Sequence, residues 1–211
     1  MREVLMRIIT VSREFGSGGR ELGKRLADEL GFAYYDKELI TALAEQIKLD
    51  EDAVSDMMET DSLPDVDITY SRTIASRESA GQKNVFTYAR EHKVIKDLAA
   101  KGDCVIVGRS ADAILSQYDP FSVFVYADLP SRVKRCVERA DVDENLTEKE
   151  LERKIKEVDK SRARGYMLVT MRKWGDMHDY SLCVNTTGAD IASLVPSVAD
   201  CAKAWFERKS K

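Results

Sequence analysis

The chain has 211 residues, 44% of them apolar, which is enough for one substantial core and excludes a chain that is disordered throughout. One third of the residues are charged, yet the net charge is only −4, so the molecule as a whole has no electrostatic reason to seek nucleic acid or an anionic membrane. The four cysteines, Cys104, Cys136, Cys183 and Cys201, form no C-x-x-C pair, which argues against zinc or a disulfide framework. With no apolar run approaching the roughly 18 residues of a membrane span and no secretion-signal pattern at the N-terminus, a soluble cytoplasmic protein is expected.

In chain order, an apolar β-branched run at 8–12 breaks into Arg13-Glu14-Phe15-Gly16-Ser17-Gly18-Gly19-Arg20-Glu21 and then a helix. Strand, glycine turn and helix start make a phosphate cradle, because glycines let successive backbone N–H groups converge on an anion at the positive end of the helix dipole. The pattern G-x-x-x-x-G-K-[ST] asks for a lysine after the last glycine and then a hydroxyl; this chain supplies Arg20 and Glu21. Arg20 keeps the positive charge in a bulkier, forked form. Glu21 either holds magnesium through water or is a favourable negative charge in the first helical turn. Taken alone, the loop reads as a nucleotide site or as an ordinary turn.

Leu22, Leu26 and Leu30 repeat at helical spacing and Gly31 stops that helix; a weak strand follows at 32–35. Residues 59–84 are polar and turn-rich and read as a long flap or binding arm. The buried strand at 104–107 ends in Gly108-Arg109-Ser110-Ala111-Asp112, so Arg109 faces the ligand crevice or is a surface loop arginine. A strand at 121–127 precedes a helix carrying Arg132, Arg135 and Arg139, which are either solvated or turned to the cleft. Residues 141–165 are dense in charge, and Thr147 with Glu150 forms a capping-box start. Asp159 and Arg162 share a helix face, as a local ion pair or as charges over a phosphate site. His92 and His178 match no metal spacing, and Trp174-Gly175 with Tyr180 reads as packing. A strand at 182–185 and a helix at about 189–207 close the chain, with Pro196 implying a kink or a later helix start. Alternating β and α units give an α/β fold around a buried parallel sheet.

With these pieces in order, the chain resembles the cytidylate kinase-like family of P-loop nucleoside monophosphate kinases over essentially its full length. The resemblance rests on residues 9–20, on Tyr35-Asp36-Lys37-Glu38, on Val105-Ile106-Val107-Gly108-Arg109-Ser110-Ala111-Asp112, and on Val158-Asp159-Lys160-Ser161-Arg162-Ala163-Arg164 with Lys173-Trp174-Gly175. It implies a three-layer P-loop NTPase fold with a parallel five-stranded sheet in one kinase domain: core 1–36, 101–140 and 177–211, an NMP-binding helical insertion at 37–100, and a helical lid at 141–176. It also implies transfer of the γ-phosphoryl of ATP to CMP or dCMP with Mg2+. By the same resemblance Arg20, Asp159 and Arg162 are catalytic, while Gly16, Ser17, Gly18, Gly19, Arg20 and Glu21 bind the ATP phosphates. Asp36, Arg90, Arg109 and Asp112 would bind the acceptor nucleotide. Ser110 stands where the family has an aspartate, with Asp112 two residues on, and Val158 stands where it has a lid arginine. A nucleotide-binding regulatory protein without transfer, and a P-loop kinase of a non-nucleotide metabolite, are the alternatives.

Overall fold

The structure is a computed structural model and describes residues 6–45, 78–139 and 147–208. Each strand-length apolar run of the sequence becomes a strand: β1 (Ile8–Arg13), β2 (Ala33–Tyr35), β3 (Cys104–Val107), β4 (Phe121–Tyr126) and β5 (Leu182–Asn185). All pair in parallel, in the order β2-β3-β1-β4-β5. The helices are α1 (Gly19–Leu30), α2 (Lys37–Glu45), α3 (Glu78–Ala99), α4 (Ala111–Ile114), α5 (Leu129–Arg139), α6 (Glu148–Thr170) and α7 (Ile191–Glu207).

Side chains alternate across each strand, and here both faces are covered, which is why the strands read as almost unbroken apolar runs. Ile9, Val11, Val105 and Val107 meet Leu22 and Leu26 of α1 and Ile191, Val195 and Val198 of α7. Ile8, Cys104 and Ile106 face the opposite layer, with Ile40 of α2, Ile95 and Leu98 of α3, and Ile114 of α4. Thr10 and Ser12 of β1 fall on this second side, and Thr10 Oγ1 bonds Ser122 Oγ on β4 at 3.1 Å. A small third cluster of Val133, Leu151 and Ile155, with Phe15 packed on it, seats α6 against α5.

Two expectations change. Of the stretch 59–84 expected as an arm, residues 59–77 lie outside the described residues, while the chain from Glu78 onward is helical. Val94, Ile95, Leu98 and Ala99 of that helix pack in one cluster with strand residues of the sheet, and their packing overrides the polar composition of its first turns. The last helix starts at Ile191, with Asp190 Oδ2 accepting the Ser193 N–H at 3.2 Å, and runs through Pro196. Pro196 sits on the exposed side, where water can satisfy the carbonyl it leaves unbonded. The capping box at Thr147 and Glu150 forms as read. No described helix is long and apolar enough to cross a membrane.

Candidate active site

β1 is the middle strand, and the glycine loop leaves its carboxyl end, where ligands of open parallel sheets bind. Gly16 and Gly18 take φ of 78° and 82°, in the left-handed region that other residues enter only at a cost. Space constrains them too: a Cβ on Gly16 would lie 2.8 Å from the Arg132 carbonyl oxygen, and one on Gly18 2.5 Å from Ile191 Cδ1. Gly18 caps α1 without a side chain, and among the described residues the N–H groups of Gly18, Gly19 and Arg20 meet no acceptor. That leaves the positive end of α1 open to an anion. Ser17 is fully buried; its hydroxyl donates to the Glu14 carbonyl at 2.9 Å, and its carbonyl accepts from Thr186 Oγ1 at 2.7 Å. It shapes the turn from beneath.

Arg132 holds the loop from behind. Its Nε donates to the Phe15 carbonyl at 2.7 Å, its Nη1 lies 3.2 Å from Glu14 Oε2, and its Nη2 bonds Asp159. Asp159 Oδ1 in turn accepts the Phe15 N–H at 2.8 Å, so a carboxylate of α6 occupies a backbone donor of the loop itself. Arg162 sits 3.6 Å from Asp159 and donates to the Arg13 carbonyl at 2.9 Å. The local ion pair expected for these two is present, and both residues also tie α6 to the loop backbone.

Across the cleft, β3 ends in three successive left-handed residues, Gly108, Arg109 and Ser110, at φ 85°, 58° and 52°. For the two non-glycine residues this stores roughly 1–3 kcal/mol each, which the surrounding structure must hold. The turn directs Arg109 Nη2 to Thr41 Oγ1 at 2.6 Å and to Glu91 Oε1 at 3.0 Å. Burial pushes the Glu91 carboxyl up, and Arg109 opposes that shift. The Nε atoms of Arg109 and Arg90 are both buried and, among the described residues, without a hydrogen-bond partner. Asp112 lies deeper: Tyr166 Oη donates to its Oδ2 at 2.7 Å, and Ser12 Oγ is 3.5 Å from its Oδ1. Burial drives the Asp112 carboxyl upward against those bonds.

This strand, loop and helix arrangement can be set beside known proteins. The cytidylate kinase-like family matches residues 8–188. The chain belongs to the cytidylate kinase-like family. A solved structure of an uncharacterized protein from Eubacterium ventriosum is similar at 26% identity and TM-score 0.69, over 94% of this chain and 99% of that one. Shikimate kinase from Bacteroides thetaiotaomicron shares the fold at 17% identity and TM-score 0.54, covering 94% of this chain and 99% of the other. A gluconokinase from Sinorhizobium meliloti shares it at 15% identity and TM-score 0.52, over 98% and 97%. No curated protein sequence matches this chain.

The cytidylate kinase-like chain distributes its expected site residues unevenly. Arg20 is exposed and paired, 2.7 Å from Asp36 Oδ2 and 3.3 Å from Glu38 Oε2, and the bond to Asp36 raises its pKa. Burial opposes ionisation of Asp36, but the Leu39 N–H and Arg20 outweigh it and hold that carboxyl low. Glu21 lies between Arg25, at 2.8 Å, and Arg139 on the outer side of α1, as a first-turn charge. Arg135 donates to the carbonyls of Thr186 and Ala189, the latter at 3.1 Å. Trp174 and Gly175 pack on Phe124, as read from the sequence.

One residue escaped the sequence reading, and for another that reading left open whether it is solvated or turned to the cleft. Arg132 gave no signal beyond an arginine-rich helix, since its partners lie in distant segments. Arg13 did give one: it ends β1, and the reasoning that singled out Arg109 at the end of β3 applies equally to it. Its guanidinium reaches under α1 to Gly108 and is lowered to about 10, by burial first and then by the like charge of Arg162.

Proposed function

We propose that this kinase-family chain is a nucleoside monophosphate kinase that moves the γ-phosphoryl group of ATP to CMP or dCMP. The observation that carries the reading is the adjacency of two half-sites. The open helix N-terminus follows β1, Arg109 follows β3, and Val11 pairs with Val107 just below both. An acceptor phosphate oxygen held at Arg109 attacks the γ-phosphorus as the bond to the β-bridging oxygen breaks; ADP leaves and a nucleoside diphosphate forms. The nucleophile is already anionic, so the protein supplies in-line positioning and charge neutralisation in place of a general base. Arg162 on the lid is the mobile neutralising charge in this scheme, and Asp159 positions it. Arg90, with its free Nε, is the second acceptor-phosphate contact.

Magnesium needs only one or two protein oxygens besides the substrate phosphates. Glu21 does not fit, because two arginines already neutralise its carboxylate. Ser12 and Asp112 fit better, a hydroxyl and a carboxylate oxygen 3.5 Å apart at the carboxyl end of β1. A bound cation there would keep Asp112 ionised and help neutralise the phosphates.

The deciding experiment is a coupled assay of the full chain with ATP, magnesium and a panel of monophosphates. Diphosphate formation, fastest with CMP or dCMP, is expected; saturable ATP binding with no turnover on any member would refute the reading. One observation favours a regulatory protein without transfer: Asp159 already sits on the Phe15 N–H, where a phosphate oxygen could bind. That alternative predicts nucleotide-dependent thermal stabilisation and no product. For a metabolite kinase, CMP should not compete at the acceptor site.

A further inference from the structure

Neither Gly19 nor Arg20 supplies the cation that a phosphate loop of this kind places against its anion. Gly19 has no side chain, and Arg20 is exposed and already paired with Asp36 and Glu38. A Cβ built on Gly19, the first residue of α1, would lie 2.5 Å from Arg13 Cβ and 3.0 Å from Arg13 Cγ. The stem of Arg13 therefore runs through the space that a side chain at the first helical position would fill. Gly19 is helical, so crowding is what requires glycine here. A Cβ on Gly108 would lie 2.9 Å from Arg13 Cζ and 3.2 Å from Nη2, so the guanidinium takes the volume of that missing methyl. Two glycines from different parts of the chain leave room for one arginine.

That arginine has no partner to account for its position. A guanidinium carries five N–H donors, and among the described residues Arg13 makes no side-chain hydrogen bond or ion pair. Glu38 and Tyr34 act on it only from beyond hydrogen-bond range, while Arg162 and Arg20 repel it. Arg162 also donates to the Arg13 carbonyl, which brings a second guanidinium to the same strand end. A half-buried cation without a counter-charge in contact is costly to the folded state, and a bound anion would relieve that cost. The unbonded N–H groups of Gly18, Gly19 and Arg20 open beside it.

We propose that Arg13, in the space left by Gly19 and Gly108, is the phosphate-binding cation of this loop and takes the terminal phosphate of a nucleoside triphosphate. The assignment rests on the reading of the loop as a triphosphate site. It gives the lysine's task to the strand that precedes the loop, and it makes Gly19 a space-making residue.

Calorimetric titration of the full chain with inorganic tripolyphosphate, without magnesium, tests it. Wild type should bind. Arg13→Met should weaken binding about thirtyfold, the scale of one charge-assisted hydrogen bond, and Arg13→Lys should recover part of the loss. Arg25→Ala, on the outer face of α1, should stay within about twofold, since an exposed ion pair contributes little. Without ligand, Arg13→Met should melt at or above wild type, because it removes a poorly compensated charge. Absence of tripolyphosphate binding in wild type, or unchanged binding in Arg13→Met, overturns the proposal. So does an Arg13→Met protein that fails to fold or melts well below wild type, which would mark a structural arginine. Arg13-dependent tripolyphosphate binding in a protein that turns over no monophosphate supports this assignment and sinks the kinase reading.

Discussion

On the side of the cleft that the proposed reading gives to the phosphoryl donor, Arg132, Glu14 and Asp159 bind one another and the loop backbone, whereas on the side it gives to the acceptor Arg109 and Arg90 each keep a buried Nε with no partner among the described residues. The donor loop thus has its shape before any ligand arrives, fixed by a buried network that spans β1, α5 and α6. The acceptor side is held in strain by the left-handed turn at Gly108, Arg109 and Ser110, with buried donors that a bound anion would complete. Preorganisation of the loop and incompleteness of the acceptor side suit a protein that must hold one phosphate chain still and admit a second molecule to meet it.

The largest effect that would break this comparison lies in the donor network. Arg132→Met leaves Glu14 and Asp159 without their shared partner, and chemical denaturation should show a loss of about 3–5 kcal/mol. A loss below about 1 kcal/mol would mean that the loop is not held by this network. Next comes Arg109→Ala, which should raise the acceptor KM at least about tenfold, the scale of one lost charge-assisted contact, while the KM for ATP stays the same in initial-rate kinetics. Equal effects on both substrates would erase the division into two half-sites.

Smaller is Tyr166→Phe, which removes one buried hydrogen bond to Asp112 and should cost about 1–2 kcal/mol in thermal or denaturant unfolding. The smallest effect is a pH dependence. Burial raises the Asp112 carboxyl above its ordinary value, so folding favours the protonated form. Its stabilising contribution is complete below that ordinary value and is lost as pH rises through the folded-state pKa. Melting curves of wild type and Asp112→Asn should therefore diverge as pH rises from acid towards neutrality, with wild type losing ground. A pH-independent gap would show that Tyr166 and Ser12 hold Asp112 at an ordinary pKa.

The sequence by itself determined the sheet, because buried parallel strands need apolar runs of a readable length, and the runs at 8–12, 104–107, 121–127 and 182–185 all became strands. It also determined the glycine loop, the capping box at Thr147, and the proximity of Asp159 to Arg162, since each depends on neighbours within a few positions. Only the tertiary structure decided which charges do what. Arg20 and Glu21, next to the loop in sequence, turn outward because side chains on the first turn of a helix radiate from its axis, and these two find Asp36 and Arg139. Arg132 finds Asp159 and Arg13 finds Gly108 because the layers bring distant segments together. Local spacing fixes elements and turns, whereas the pairing of long charged side chains is settled where those elements meet.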